Sequence, residues 1–328
     1  MLAYIVRRLF YAILILFGVN LLLFSLYFKV FTPDDMAARV LGDKRVTQED
    51  RDNWKRQHGY NLPSFYNPKA ESLATRFTET IFWTKSMKLF AFQFGRSDNN
   101  PDISIGREIR ERIPPSLALA IPIFFAALLI NLFFAMMTAF YRGTYIDTGI
   151  LVICVTMMSI STLYYIIVGQ YVFGMLLRLA PVSGYDRGLN AIKFLVLPAA
   201  IGIMASIGGA IRYYRTIFLE EINRDYIRTA RAKGLSEGAV LFKHALKNAM
   251  IPILTNVVVS IPFLIMGNLL LENFFGIPGL GSYLVDAIGK QDFAVIRAMV
   301  FLGAVLYVGA LVCVDISYTL VDPRVRLK

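Results

Sequence analysis

Six apolar stretches in this chain are each long enough to cross the hydrocarbon of a bilayer, at roughly 9–28, 116–140, 150–177, 194–217, 250–271 and 298–320. A soluble fold has no place to bury that many runs of this length. Composition agrees, because 328 residues that are 56% hydrophobic and 17% charged carry more apolar side chain than soluble cores of that size absorb. The pattern predicts an all-α membrane protein with six transmembrane helices. Gly169 and Gly174 predict a kink or tilt in the third span. Pro122, Pro198, Pro252 and Pro262 lie in or at the ends of spans, where neighbouring helices can re-satisfy the freed backbone groups.

Arg7 and Arg8 before the first run superficially resemble the start of a secretory leader. The run from Leu9 to Phe28 is long enough to span, however, and no small-x-small cleavage site follows, so it reads as a retained first helix. Cys154 and Cys313 both fall inside apolar runs and read as small hydrophobes, with no disulfide framework or cysteine-type metal site indicated.

Lys and Arg in the short loops set the orientation. With the N-terminus inside, the segments 1–8, 141–149, 211–250 and 320–328 hold fourteen Lys/Arg, and the short outer segments 178–193 and 272–297 hold five. Both termini are therefore expected in the cytoplasm of a multi-pass protein. The net charge of +11 is read through this distribution rather than as an affinity for nucleic acid. The remaining fifteen Lys/Arg lie in 29–112 beside twelve Asp/Glu, and a segment that long translocates largely regardless of charge.

The chain thus divides into a first span, 1–28, an extracytoplasmic segment, 29–112, and a five-helix core, 113–328, with an inner loop at 218–250. Within the outer segment Thr47, with Glu49 and Asp50 behind it, predicts the cap of a helix reaching about His58. A second helical signal, Ile105 to Arg112, runs into Pro114-Pro115 and is expected to lie in the membrane interface.

Residues for catalysis are scarce. His58 and His244 fall on opposite sides of the membrane in this topology, so they build no paired-His metal site, and the glycines of 276–282 have neither the strand nor the Lys-Ser pair of a phosphate loop. Ionisable groups near span ends, Asp315, Arg212 and Arg215, read as interfacial anchors. Asn20, Asn131, Asn256 and Asn268 are candidates for helix-to-helix hydrogen bonds or for a polar cavity lining, with Asn131, Asn256 and Asn268 the pathway candidates.

The inner loop carries more information. Asp225 is a plausible cap for a short helix holding Tyr226, Ile227, Arg228, Thr229, Ala230, Arg231, Ala232 and Lys233, and Gly234 supplies the left-handed residue that stops it before Leu235. Ser236 can cap a second helix running toward the membrane and ending near Pro252. Holding topology needs only the positive charge. Capped helices around a glycine, with small residues on one face, suit docking in a groove of another protein.

At this loop the sequence resembles the permease subunits of ATP-binding cassette importers, in their dipeptide and oligopeptide branch. Asp225 to Leu235 followed by His244 to Pro252 looks like that branch's coupling motif, with Gly234 at the motif glycine and Arg228-Thr229-Ala230 in place of the general family's leading Glu-Ala-Ala. Arg7-Arg8, Gly95-Arg96-Ser97, Glu111-Arg112-Ile113-Pro114, Leu179 to Gly184, Pro278 to Gly281 with Asp286-Ala287, and Val321-Asp322-Pro323-Arg324 follow in the family's order. Ile277 stands where the branch often has Trp, and Phe92-Gln93-Phe94-Gly95 where it often has Gly-Asp-Leu-Gly; both departures are expected on the outer face.

The resemblance implies a type I importer permease fold in the bacterial inner membrane. It further implies a heterodimer with a second permease, two ATPase subunits that use ATP and Mg, one of which receives residues 225–235, and an extracytoplasmic solute-binding protein. No cofactor or catalytic site is expected in this chain. The same branch handles peptides, nickel, glutathione, antimicrobial peptides and some oligosaccharides, and the sequence does not choose among them. A membrane-anchored sensor is the rival from another class, and six spans without an inner signalling domain argue against it.

Overall fold

The computed structural model describes residues 2–42, 47–186 and 188–321, and apart from one bridge between Arg96 and Ser104 its regular elements are helical. In chain order these are α1 (Leu2–Val30), α2 (Pro33–Leu41), α3 (Gln48–His58), α4 (Leu73–Thr78), α5 (Ile105–Phe140), α6 (Tyr145–Ser159) and α7 (Thr162–Gly169). There follow α8 (Ala191–Ile222), α9 (Asp225–Ala232), α10 (Glu237–Ala239), α11 (Leu246–Met266), α12 (Leu269–Phe275), α13 (Leu280–Gly289) and α14 (Phe293–Val321). Residues 322–324 of the expected closing motif, and the side chain of Asp315, lie outside what is described.

Five helical stretches are long and apolar enough to cross a membrane, and a sixth span results if the pair α6 and Thr162–Leu176 counts as one. That pair bends by 89° at Ile160-Ser161 rather than at Gly169 or Gly174. Ser161 takes extended backbone there, and its hydroxyl accepts the N–H of Leu163, which restarts the helix. The two glycines serve packing instead, since a Cβ at Gly169 would run into Ile201 and one at Gly174 into Val182.

Two other boundaries differ from expectation. The charged run 105–112 is not a separate interfacial helix but the first turns of α5, which passes through Pro114 and Pro115. Proline's fixed φ is helical, so the chain continues, with two N–H donors missing and each ring crowding the carbonyl four residues before it. The helix capped by Ser236 does not end near Pro252: it continues through a widened turn at Val240–Ala245 into α11 and stops at Gly267, whose φ is +76°. The fifth span is therefore interrupted at Gly267-Asn268 and resumes as α12.

The described chain forms two compact units, one of residues up to 111 with 283–312, the other of 112–282 with the chain from 313. In the first, α2 and α3 each begin with a reciprocal cap, Thr32 with Asp35 and Thr47 with Asp50, so the start expected at Thr47 is where the helix begins. Phe24, Met36, Ala37, Trp54, Tyr60, Ile81 and Phe293 form its apolar core. Asn20 acts as helix glue, donating to the carbonyl of Ser86 at 2.9 Å. Asp98 is buried and accepts from the Tyr60 hydroxyl at 2.9 Å and the Ala294 N–H at 3.0 Å, while its own N–H donates to Asp292. Burial pushes the Asp98 carboxyl above its ordinary range, opposed by the nearby Arg297 and Lys85.

In the second unit α6 and α8 pack closely at Gly208, where a Cβ would collide with the carbonyl oxygen of Cys154 and with Met158. Small residues at such crossings let backbones meet. Gly208→Leu is expected to lower stability by about 1–3 kcal/mol through overpacking, read as a lower unfolding temperature of the purified chain in detergent; an unchanged transition would count against this packing. On the same helix pair, Arg215, expected as an interfacial anchor, has a specific partner. It donates from Nε at 3.1 Å and Nη2 at 2.8 Å to the two oxygens of buried Asp147, which also accepts the Gly143 N–H. Arg212 instead approaches Met158 Sδ at 3.5 Å.

Candidate functional site

Between α8 and α11 the chain makes a hydrogen-bonded bend. Arg224 takes extended backbone and no side-chain cap closes the start of α9, so Asp225 is the first helical residue rather than the expected cap, with its carboxylate at the helix's positive end. Arg228 pairs with it at 3.3 Å. The far end behaves as the spacing predicts: Gly234 sits at φ +75°, its N–H donates to the Arg231 carbonyl, and the Leu235 N–H reaches back to Ala230. Ser236 then accepts the Ala239 N–H and caps α10. Across the bend the Arg231 guanidinium grips the Glu237 carboxylate through two bonds of 2.9 and 3.0 Å. No spacing rule for a single helix would have shown that clasp.

Two faces of α9 differ in character. Ile227 and Ala230 are buried against Val240 and Ala245, and the Tyr226 hydroxyl donates to Glu221. Burial, with the Glu221 carboxylate accepting its bond, pushes the Tyr226 phenol up to about 12, so it stays a neutral donor at physiological pH. The outward face, formed by Asp225, Arg228, Thr229, Ala232 and Lys233, is exposed. A short helix pinned from behind and presenting small and basic residues can be gripped and moved as a body.

A cavity of about 540 Å³ opens between α5, α8, α11 and the start of α12. Asn131 lines it, is buried, and its Oδ1 has no hydrogen-bond partner among the described residues. Asn268 lines it too, but its Oδ1 accepts the Leu271 N–H at 3.0 Å, so its first role is to cap α12. Asn256 is not on the wall; it donates to the hydroxyl of Tyr214, which is. Among the described residues no charged side chain lines this space.

Glu272 was not among the residues singled out. Buried in α12, it accepts the N–H groups of Asn268 and Ser282, both at 3.1 Å, while Ser116 accepts the Leu280 N–H at 2.7 Å. A Cβ at Gly267 or Gly279 would strike this carboxylate, whereas one at Gly276 would meet the Ser183 hydroxyl and one at Gly281 the Asn268–Leu269 backbone. The available signal was a lone acid inside LLLENFF just before a glycine-rich turn. Glu272→Ala should cost about 1–3 kcal/mol for each buried donor left unpaired, lowering the unfolding temperature more than Glu272→Gln does. Equal effects would mean the carboxylate does not organise the turn. Of the two departures noted in the sequence, Phe92 is exposed, whereas Ile277 is buried beside Leu119 and Phe275 and so presents no outer surface.

Residues 131–327 match the family described as the binding-protein-dependent transport system inner membrane component. The chain is 33% identical to the oligopeptide transport system permease protein AppB of Bacillus subtilis (strain 168), over 99% of this chain and all of that one. It is 30% identical to the di/tripeptide transport system permease protein DppB of Pseudomonas aeruginosa (strain UCBPP-PA14), over 99% of each. A putative peptide transport system permease protein of Brucella abortus (strain 2308) is 37% identical over 73% of this chain and 77% of its own length. Fold and matches together define a multi-pass membrane transport subunit. The chain belongs to the binding-protein-dependent transport system inner membrane component family, with the helical architecture of a type I importer permease.

Proposed function

We propose that this chain is a permease subunit of an ATP-driven peptide importer, forming half of the translocation pathway beside a different second permease. Its partners are two ATPase subunits, which bind ATP and Mg, and an extracytoplasmic solute-binding protein that delivers cargo. The chain contributes no catalytic group of its own. Both termini face the cytoplasm, residues 29–112 lie outside the inner membrane, and the permease core begins at about 113.

The observation that carries this reading is the pinned bend at 225–235, whose exposed face is held by Gly234 and the Arg231–Glu237 clasp. In operation, ATP closes the ATPase pair, α9 moves with the cleft that receives it, and α8 and α11, joined to it on either side, re-orient the spans around the cavity. Peptide as cargo follows the names of the relatives, and a cavity with few polar groups fits a substrate read mainly by the delivering protein.

Proteoliposomes holding this chain with its second permease and ATPases test the reading. ATP-dependent uptake of a labelled peptide, in the presence of the binding protein, is expected. Uptake of nickel, glutathione or an oligosaccharide in its place would change the cargo, and no uptake of any would leave the sensor reading. Asn131→Val in the same vesicles should change the uptake KM severalfold while ATPase co-purification is unaltered; unchanged uptake would remove Asn131 from the pathway.

A further inference from the structure

A second cavity, of about 460 Å³, lies within the other compact unit, walled by the end of α3, the turn around Lys85 and Lys88, the loop Gln93–Arg96 and the first turn of α14. Five cationic side chains reach it, Arg56, Lys85, Lys88, Arg96 and Arg297, with His58 beside them and no carboxylate in the lining. Among the described residues none of the five forms an ion pair. Their partners are weaker: Arg96 donates to the carbonyl of Pro101, Arg56 to that of Asp52, and the Lys85 ammonium stands 4.8 Å from the centre of the Tyr60 ring.

Beside Arg297 and Lys85 stands the buried Asp98, bonded through its N–H to Asp292, and Asp52 lies one turn from Arg56. Asp98 holds the Tyr60 hydroxyl and the Ala294 N–H; Asp292 holds the Ser97 hydroxyl and the N–H groups of Asp98 and Val295. Together they offset two of five positive charges. One buried donor of a lining residue, Arg297 Nε–H, has no hydrogen-bond partner, while His58 gives its Nδ1–H to the Trp54 carbonyl, which makes Nε2 of the neutral ring an acceptor. Burial also drives the Lys85 ammonium below its ordinary range. Arg56, Lys88 and Arg96 keep contact with solvent, but the set carries more positive charge than the neighbouring carboxylates answer, and the buried Arg297 Nε–H is left for an anion to complete.

We infer that this cavity binds a phosphate group, carried on an anionic phospholipid headgroup or free in solution. Several Arg and Lys donors converging from different elements suit a tetrahedral anion with multiple acceptor oxygens. Because Ala294 and Arg297 lie in the first turn of a helix long enough to cross a membrane, the cavity lies at the depth of polar headgroups. The inference is independent of what the transporter carries.

The chain contains two tryptophans, and Trp54 stacks on His58 with ring centres 4.3 Å apart, so it reports on the cavity. The full-length chain carrying Trp83→Phe, in phosphatidylcholine nanodiscs, is titrated with inorganic phosphate in one arm and with a rising share of phosphatidylglycerol in the other. A saturable change in Trp54 fluorescence is expected, weakened about tenfold by Arg56→Gln with Lys88→Gln, two exposed side chains, and unchanged by Lys69→Gln outside the cavity. Saturation in the lipid arm alone assigns a headgroup, in the phosphate arm alone a free anion, and in both a phosphate group from either source. If the double variant loses its thermal transition, Lys88→Gln alone takes its place, with a shift of about threefold expected. No saturable response in either arm, or the same half-saturation in the variants, would overturn the inference.

Discussion

Gly234→Val is expected to cut ATP-driven uptake about tenfold or more in proteoliposomes, while the chain still inserts and accumulates. The residue sits at φ +75°, where a β-branched side chain is strained by about 1–3 kcal/mol. No atom lies within 4 Å of where a Cβ would stand, so the penalty comes from the backbone alone. Relieving it means abandoning the left-handed turn, and with it the N–H bonds from Gly234 to Arg231 and from Leu235 to Ala230 that close α9. Asparagine tolerates that conformation far better, so Gly234→Asn should keep most of the activity. Equal losses from valine and asparagine would show that the bend itself is not what matters. An aspartate at this open position tests added negative charge on the exposed face more than it tests strain.

Arg215→Leu should lower stability by about 3–5 kcal/mol, because it leaves Asp147 charged and buried without its partner. Replacing both residues removes the stranded charge along with the pair. Asp147→Leu with Arg215→Leu is therefore expected to unfold at a higher temperature than either single variant, measured on the purified chain in detergent. Additive losses in the double variant would mean the two side chains act separately, contrary to their two-point contact at 2.8 and 3.1 Å.

How far the sequence could be read follows from the range of each interaction. Thr47, Gly234 and Ser236 act within four residues of themselves, and the structure places all three where their neighbours predict. Apolar length located the spans because hydrocarbon thickness is a property of the bilayer rather than of any neighbour. The breaks inside spans were harder to see. Gly169 and Gly174 looked like the flexible points of the third span, but the chain turns at Ile160-Ser161, and the glycines only make room for Ile201 and Val182.

Pairings across the fold left even less trace. Asp147 and Arg215 are 68 residues apart, and each alone reads as an ordinary end-of-helix charge. Glu272 becomes intelligible only when Ser116, Asn268 and the 276–282 turn are seen around it. At the cavity, three asparagines of similar sequence context have three different situations: Asn131 faces it with an unpaired oxygen, Asn268 caps a helix at its edge, and Asn256 holds Tyr214. The basic cavity of the first unit was invisible for the same reason, since its cations come from segments far apart in the chain.

Site-specific photo-crosslinking in cells tests the central claim most directly. A photoreactive phenylalanine analogue at exposed Ala232 is expected to join this chain to the ATPase subunit in a single product of the summed mass, with a second product from Thr229. The same probe at Lys69, exposed in the segment assigned to the other side of the membrane, should give no ATPase product. Absence of ATPase product at both Ala232 and Thr229, or its appearance at Lys69, would contradict the assignment of residues 225–235 as the point where the motor grips the permease.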